Sequence, residues 1–349
     1  MNSKGLTPRA LRIAYLLEST ELSGGVKVVL TQAEALARRG HRVAVVSPEP
    51  APSWYPLARA RFERSSFRES RELAGADVRV ATFWTTVAPA LAGARGPVFH
   101  LCQGYEAGFS FYAGRHQEIE AAYRAPARKL AISEALATRL SGIGLGPVEN
   151  IGQAFDRSGF VPAPEPGLRP REEPVVLLVG PHEADVKGID VALAGLALWR
   201  DRGGRFRVRR VSTEPLTEAE RICGLVDEYH RALPPERMPF AYRASDVFLG
   251  PARSGEGFGL PALEALSCGI PALLSDTPGH REIAADAAWY FPEGDAAALA
   301  DSLPALTTEE ARKRARALGP SRAEMHEPAR VAARLERAFT EALSESGTA

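Results

Sequence analysis

Three cysteines, Cys102, Cys223 and Cys268, stand far apart in a chain of 349 residues. Their number is odd and their spacing fits neither a disulfide framework nor a zinc site, so a reducing compartment is expected. Net charge is missing too, because Lys plus Arg and Asp plus Glu each number 43. That balance argues against a general nucleic-acid binder, although local basic patches stay open. No apolar run approaches the roughly 20 residues that span a bilayer. The opening stretch, MNSKGLTPRALRIAYLLEST, has too short an apolar segment for a secretory signal. A cytoplasmic location is the expectation. The chain has no Asp-x-Asp, no His-Glu-x-x-His and no cysteine pair suited to metal, so no metal ligand set is assigned.

What the chain does have is alternation. Leu11–Ser19 (LRIAYLLES) reads as a strand, and Gly24 and Gly25 open a helix. Val26, Val29, Leu30, Ala33, Leu36 and Ala37 follow the helical period. Gly40 suits the position just past that helix, and HRVAVVS returns as a strand, which makes one parallel βαβ unit. Residues 76–84, 96–103 and 128–136 continue the series. Residues 157–174, RSGFVPAPEPGLRPREEP, are rich in proline and charge and read as a linker. A second series follows. PVVLLVG is a strand, Ile189–Gly203 a helix and RFRVRRVS a strand with one polar face. Thr217 and Glu220 have capping-box spacing, SDVFLGP is a strand, and helical segments run to a last helix near Pro328–Ala342. At this length two cores are expected: two doubly wound α/β domains, Rossmann-like, facing a central cleft. The expected division is 1–160, a linker 161–174, a second domain 175–325 and a C-terminal helix 326–349 packing back toward the first domain. In such sheets ligands bind beyond the carboxyl ends of the strands.

The most informative stretch is Ser254–Asp276, SGEGFGLPALEALSCGIPALLSD. It follows an apolar strand, so Ser254–Gly259 forms the strand-to-helix loop at that strand's carboxyl end. Pro261 suits the first helical position, and Gly269 suits the position after a short helix. Gly257 and Gly259 allow close approach of a ligand. The N–H groups of Phe258, Gly259 and Leu260 point free at the helix start, a site for a phosphate or sugar hydroxyls. Glu256 and Glu264 flank the turn, and a carboxylate can accept from a pair of hydroxyls. Read singly, Glu264 is equally a helix-dipole partner and Glu256 a solvated loop acid.

The combination resembles the E-x7-E signature of glycosyltransferase family 4, retaining enzymes with the GT-B fold. The resemblance extends to the glycine-rich first loop, to Lys187-Gly188 after the first strand of the second half, and to YRASDVFLGPARSGEGFGLPALEAL and CGIPALLSD. It implies that Glu256 and the Gly257–Leu260 backbone, with Phe258 and Gly259, hold the donor sugar and its phosphates. It implies further that Glu264 holds the nucleotide ribose and that Lys187 faces the diphosphate. Gly25, in a loop that closes over donor phosphates or helps bind acceptor, joins the donor side. The family's arginine after the strand glycine is absent, since Pro181 and His182 follow Gly180. Either another cation substitutes, His182 or Arg253 being the candidates, or activation of the diphosphate is weaker.

Gln103, Tyr105 and Glu106, in HLCQGYEAGF, are the polar candidates for acceptor binding or for steadying the donor sugar, while His100 reads as a buried structural histidine. Ser53–Ser70, with Arg59, Arg61, Arg64 and Arg68 among aromatics, reads either as a solvated segment or as a contact to a membrane or anionic lipid-linked acceptor. The resulting expectation is a hexosyltransferase-type enzyme that needs no metal or other cofactor and moves a sugar with retention from a nucleotide-sugar. The acceptor hydroxyl belongs to a saccharide, a lipid-linked or a small molecule, in polysaccharide, glycolipid or glycoconjugate synthesis, and peripheral contact with the inner face of a membrane is compatible with that. A nucleotide-sugar epimerase on the same fold, or a catalytically weak nucleotide-sugar-binding partner subunit, are the other readings. A dehydrogenase is disfavoured, because SGGVK lacks the G-x-G-x-x-G fingerprint.

Overall fold

The computed structural model describes residues 9–164 and 172–347. Residues 165–171 of the expected linker lie outside the described residues. The first sheet contains β1 (Arg12–Leu16), β2 (Arg42–Ser47), β3 (Arg61–Arg64), β4 (Val78–Ala81), β5 (Val98–Cys102), β6 (Arg128–Ala131) and β7 (Val148–Asn150). Its order is β3-β2-β1-β4-β5-β6-β7, with every pair parallel. The second contains β8 (Val175–Val179), β9 (Arg207–Ser212), β10 (Val226–Arg231), β11 (Val247–Gly250), β12 (Ala272–Ser275) and β13 (Trp289–Phe291). Its order is β10-β9-β8-β11-β12-β13, again all parallel. Both are doubly wound, and each reverses direction beside its first strand, at β1/β4 and β8/β11. The loops leaving those strands are where a ligand is met in such sheets.

The apolar runs explain the central strands. Residues of β8 are buried on both faces, as a parallel sheet covered by helices requires. Val176 and Leu178 join Ile189, Leu196, Leu249 and Leu299 in one core, while Leu177 packs into the other. The RFRVRRVS stretch departs from a simple polar face. Arg210 on β9 is wholly buried, ion-paired with Glu220 at 2.8 Å, and donates to the carbonyl of Gly180. Glu220 also completes the capping box with Thr217, so one carboxylate caps a helix and neutralises a buried guanidinium.

The helix Gly24–Arg38 is capped by Ser23, whose hydroxyl accepts from Val26 N. The last helix, Pro328–Ser346, returns to the first domain. There Glu336 pairs with Arg39, and Phe339 meets Phe99 with ring centroids 4.9 Å apart. The chain therefore passes between the domains twice, near Phe155 and near His326, and Phe155 N donates to His326 O at these crossings. Among the described residues no helix is long and apolar enough to cross a membrane.

Candidate functional site

The helix after β11 runs Leu260–Ser267, so Pro261 occupies its second position, one later than its sequence position suggested. The N–H groups of Gly257 through Leu260 have no hydrogen-bond partner among the described residues. They form the open donor set that a helix start offers to an anion. Glu256 leads into this turn and pairs with Lys187, while its second carboxylate oxygen has no hydrogen-bond partner among the described residues.

Lys187 owes its position to its neighbours. Gly188 has φ +61, and a Cβ there would lie 2.1 Å from Pro251 O, so only glycine lets the loop after β8 pass against the end of β11. Arg253 ties the same loop down. Its guanidinium donates to Asp185 O and to Asp190 Oδ2 at 2.6 Å, and its N–H donates to Val186 O. Arg253 thus anchors the lysine loop and is already ion-paired. His182 lies half-buried in that loop, with no side-chain hydrogen bond to a described residue.

Glu264 is buried and held from two sides. Tyr242 OH donates to Oε2 at 2.8 Å, and Lys27 Nζ lies 3.4 Å from Oε1. Burial, with the Glu264 charge beside it, raises the Tyr242 hydroxyl well above its ordinary range, which keeps it a donor. Two carboxylate oxygens offer about four acceptor positions, so Glu264 keeps capacity for further donors. Lys27 comes from the other domain, on the helix that Gly24 and Gly25 open, and its ammonium also sits 5.2 Å from the Phe160 ring. The closed arrangement therefore sets one cation on each acid of the motif, Lys187 on Glu256 from its own domain and Lys27 on Glu264 from across the cleft.

Further contacts fasten the domains at this turn. A Cβ on Gly257 would lie 1.8 Å from Gln103 O, so the turn rests directly on the backbone after β5. Ser133 Oγ donates to Gly257 O at 3.1 Å, and Glu282 accepts from Glu134 N and Ala135 N at the start of the helix Glu134–Gly142. Gln103 Nε2 donates to Gly25 O at 3.3 Å, which joins the first glycine loop to the same junction. The structure thus gathers Gly25, Gln103, Gly257, Leu260 and Glu264 at one place, with Lys187 and Glu256 beside them.

Tyr105 and Glu106, expected at an acceptor, are turned inward. Tyr105 is buried with its ring edge on Tyr123, 5.1 Å between centroids, and Glu106 shares a hydrogen bond with Tyr123 OH. Burial pushes the Glu106 carboxyl up to about 7. The hydrogen bonding agrees with a neutral acid. Tyr123 has one proton and two acceptors in reach, Glu106 and Gly104 O at 2.7 Å. A protonated Glu106 donates to the Tyr123 oxygen and leaves the phenol proton for Gly104. A folded value above the ordinary 4.5 means that this contribution to stability is whole below pH 4.5 and is lost as pH rises through about 7. Across that window the stability difference between wild type and Glu106→Gln is expected to shift by on the order of 3 kcal/mol against the wild type, read from denaturant titrations at each pH.

His100 is buried as its sequence setting suggested. Neither ring nitrogen has a partner among the described residues, and burial pushes its pKa down to about 3. In the Ser53–Ser70 stretch the four arginines are exposed, but the aromatics belong to the domain. Trp54 Nε1 donates to Thr20 O at 3.0 Å, and Tyr55 OH meets Thr31 Oγ1 at 3.3 Å. Sequence reasoning missed Lys27, Ser133, Tyr242 and Glu282. Tyr242 lay inside the quoted YRASDVFLGP, while the others had no local signal, because their partners lie far away in sequence.

Residues 228–324, which include the turn, both glutamates and the strands around them, match the model of the family described as "Glycosyl transferases group 1". The phosphatidyl-myo-inositol mannosyltransferase of Mycobacterium leprae is 28% identical over 377 aligned positions, covering 95% of this chain and 96% of that protein. Among solved structures, Anabaena HepE in complex with UDP and glucose superposes with TM-score 0.72 at 16% identity, covering 95% of this chain and 99% of that one. A glycosyltransferase from Rickettsia africae does so with TM-score 0.70 at 14% identity, covering 96% and 99%. Likeness along nearly the whole sequence and a shared two-domain frame converge: the chain is a glycosyltransferase built on the GT-B fold.

Proposed function

We propose that the chain transfers mannose, with retention of anomeric configuration, from a nucleoside diphosphate-mannose to a hydroxyl of a lipid-linked or saccharide acceptor. The observation that carries this is the turn at Glu256, with the Lys187 ammonium, unpartnered N–H groups and a half-engaged carboxylate in one place. The mannosyltransferase name of the full-length relative supports the sugar and favours a lipid-borne hydroxyl. In this reading the diphosphate draws Lys187 from Glu256 and lies against the N–H groups of Phe258–Leu260. The freed carboxylate accepts from sugar hydroxyls, and Glu264 accepts from the ribose. The bond from the anomeric carbon to the diphosphate breaks as the acceptor oxygen approaches the same face. The acceptor's proton passes to the departing phosphate oxygen. Lys187 and the backbone dipoles stabilise the charge that builds there, with no metal ion assigned. Domain closure around Gln103 and Gly257 excludes water. Contact with a membrane surface that presents the acceptor belongs to the same proposal.

The test is incubation with GDP-mannose and, as acceptors, phosphatidylinositol vesicles or a short mannoside, with a chelator present. An α-linked mannosyl product by NMR is expected. A β-linked product, or no product from GDP-mannose with either acceptor, would overturn the proposal. Conversion of donor without acceptor would point instead to the epimerase reading.

A further inference from the structure

His280 lies at the carboxyl end of β12, in the helix Pro278–Ala284, and is 3% exposed. Its N–H donates to Thr277 Oγ1 at 3.2 Å, which fixes the helix start. The ring is oriented by the backbone. Nδ1 lies 2.9 Å from Ser275 O and 3.1 Å from Ser275 Oγ. A carbonyl oxygen only accepts, so Nδ1 carries the proton and Nε2 presents a lone pair. The Nε2–Cδ2 side of the ring lies beside the donor turn. A Cβ on Gly259 would lie 3.4 Å from both Nε2 and Cδ2, and the charges acting on the ring are those of Glu256, Lys187 and Glu293. Nε2 has no hydrogen-bond partner among the described residues and is not sealed from solvent-accessible space, unlike the two nitrogens of His100. A positioned, neutral acceptor is therefore left open beside the pair that the diphosphate-sugar is to displace.

Resting on the mannosyl-transfer reading above, we infer that His280 is a further donor-sugar contact, whose Nε2 accepts a hydrogen bond from one hydroxyl of the transferred mannose. Acceptor chemistry selects the partner. A phosphate oxygen is itself an acceptor and offers nothing to an imidazole lone pair, whereas a sugar hydroxyl donates. Burial holds the ring neutral by lowering its pKa, which keeps the lone pair free. Glu256 and His280 then approach the same sugar as two acceptors on different elements, one after β11 and one after β12. That arrangement discriminates between sugars by the direction of their hydroxyls.

The variant is His280→Asn, whose side-chain amide nitrogen replaces Nδ1 toward Ser275 O and leaves no atom at Nε2. GDP-mannose and its 2-, 3-, 4- and 6-deoxy forms are compared on the full chain. In the wild type one deoxy donor is expected to lose about 10- to 100-fold in kcat/KM. His280→Asn is expected to lose a similar factor with GDP-mannose, melt within a few degrees of wild type, and no longer distinguish that deoxy donor from the parent. Equal discrimination by variant and wild type against all four deoxy donors would overturn the inference, since a ring that only props the Gly259 turn weakens every donor alike. Unchanged kcat/KM in His280→Asn would overturn it too. A wild-type chain that does not use GDP-mannose removes the mannosyl reading itself, and this inference with it.

Discussion

Lys187→Ala and Glu256→Ala are each expected to reduce sugar transfer by about 10²- to 10⁴-fold while leaving the fold intact. The two residues form one ion pair, with side chains 26% and 15% exposed, so its loss costs stability only about 1 kcal/mol or less. On the proposed reading the cost to transfer is larger, because the groups act where charge changes. Lys187 is the only ammonium paired with Glu256 at the turn among the described residues, and Arg253 is already engaged with Asp190. Without Lys187 the leaving diphosphate keeps the backbone N–H groups alone. Without Glu256 the sugar loses a charged acceptor, and Lys187 loses the partner that holds it at the turn. Rate measurements on both variants, alongside thermal melting, separate the effects. Wild-type turnover in both would remove the turn from the chemistry.

Gly257→Ala is expected to act through geometry, with a loss of about 10²-fold or more. The added Cβ would meet Gln103 O at 1.8 Å and Gln103 C at 2.8 Å. Both are backbone atoms at the end of β5 and cannot rotate aside. Ordinary contact requires the turn and the first domain to separate by more than about 1 Å, and a misplacement of that size is enough to cost two orders of magnitude. The same separation strains the Ser133–Gly257 and Gln103–Gly25 hydrogen bonds, which share the junction. Small-angle scattering is expected to show a more open particle, while circular dichroism shows unchanged helix and strand content. A variant as closed and as active as wild type would mean that the domains do not work in this contact.

The sequence displayed the frame where burial is two-sided. Strands such as VVLLV and VFLG are short apolar runs that only a covered parallel sheet accommodates, and the loop after β11 announced itself through Gly257, Gly259, Pro261 and the two acids. Edge strands were less visible. VDEYHR in β10 and VEN in β7 carry mixed polar residues because one side of each meets no further strand. The turn and its two acids were legible as well, since they lie within one loop and the helix that follows. Its cross-domain half was not. Lys27 and Glu264 are 237 residues apart, and no local pattern records that an ammonium on the first helix reaches a carboxylate in the second domain. Polarity also misled. Tyr105 and Glu106 look like ligand groups by residue type, yet Glu106 is hydrogen-bonded to Tyr123 inside the domain, and Tyr105 packs on the Tyr123 ring with its hydroxyl on Glu120. Arg210 looks like surface charge and is the most deeply buried arginine of its strand.

The turn at Glu256 is proposed as a nucleotide-sugar site. The most direct test is calorimetric titration of the full chain with GDP-mannose, in wild type and in Lys187→Ala. Saturable one-to-one binding by the wild type, weakened at least about tenfold in the variant, is the predicted result, because a charged hydrogen bond contributes roughly 1.5–3 kcal/mol. Equal affinity in the two proteins, or no binding to the wild type, would contradict it.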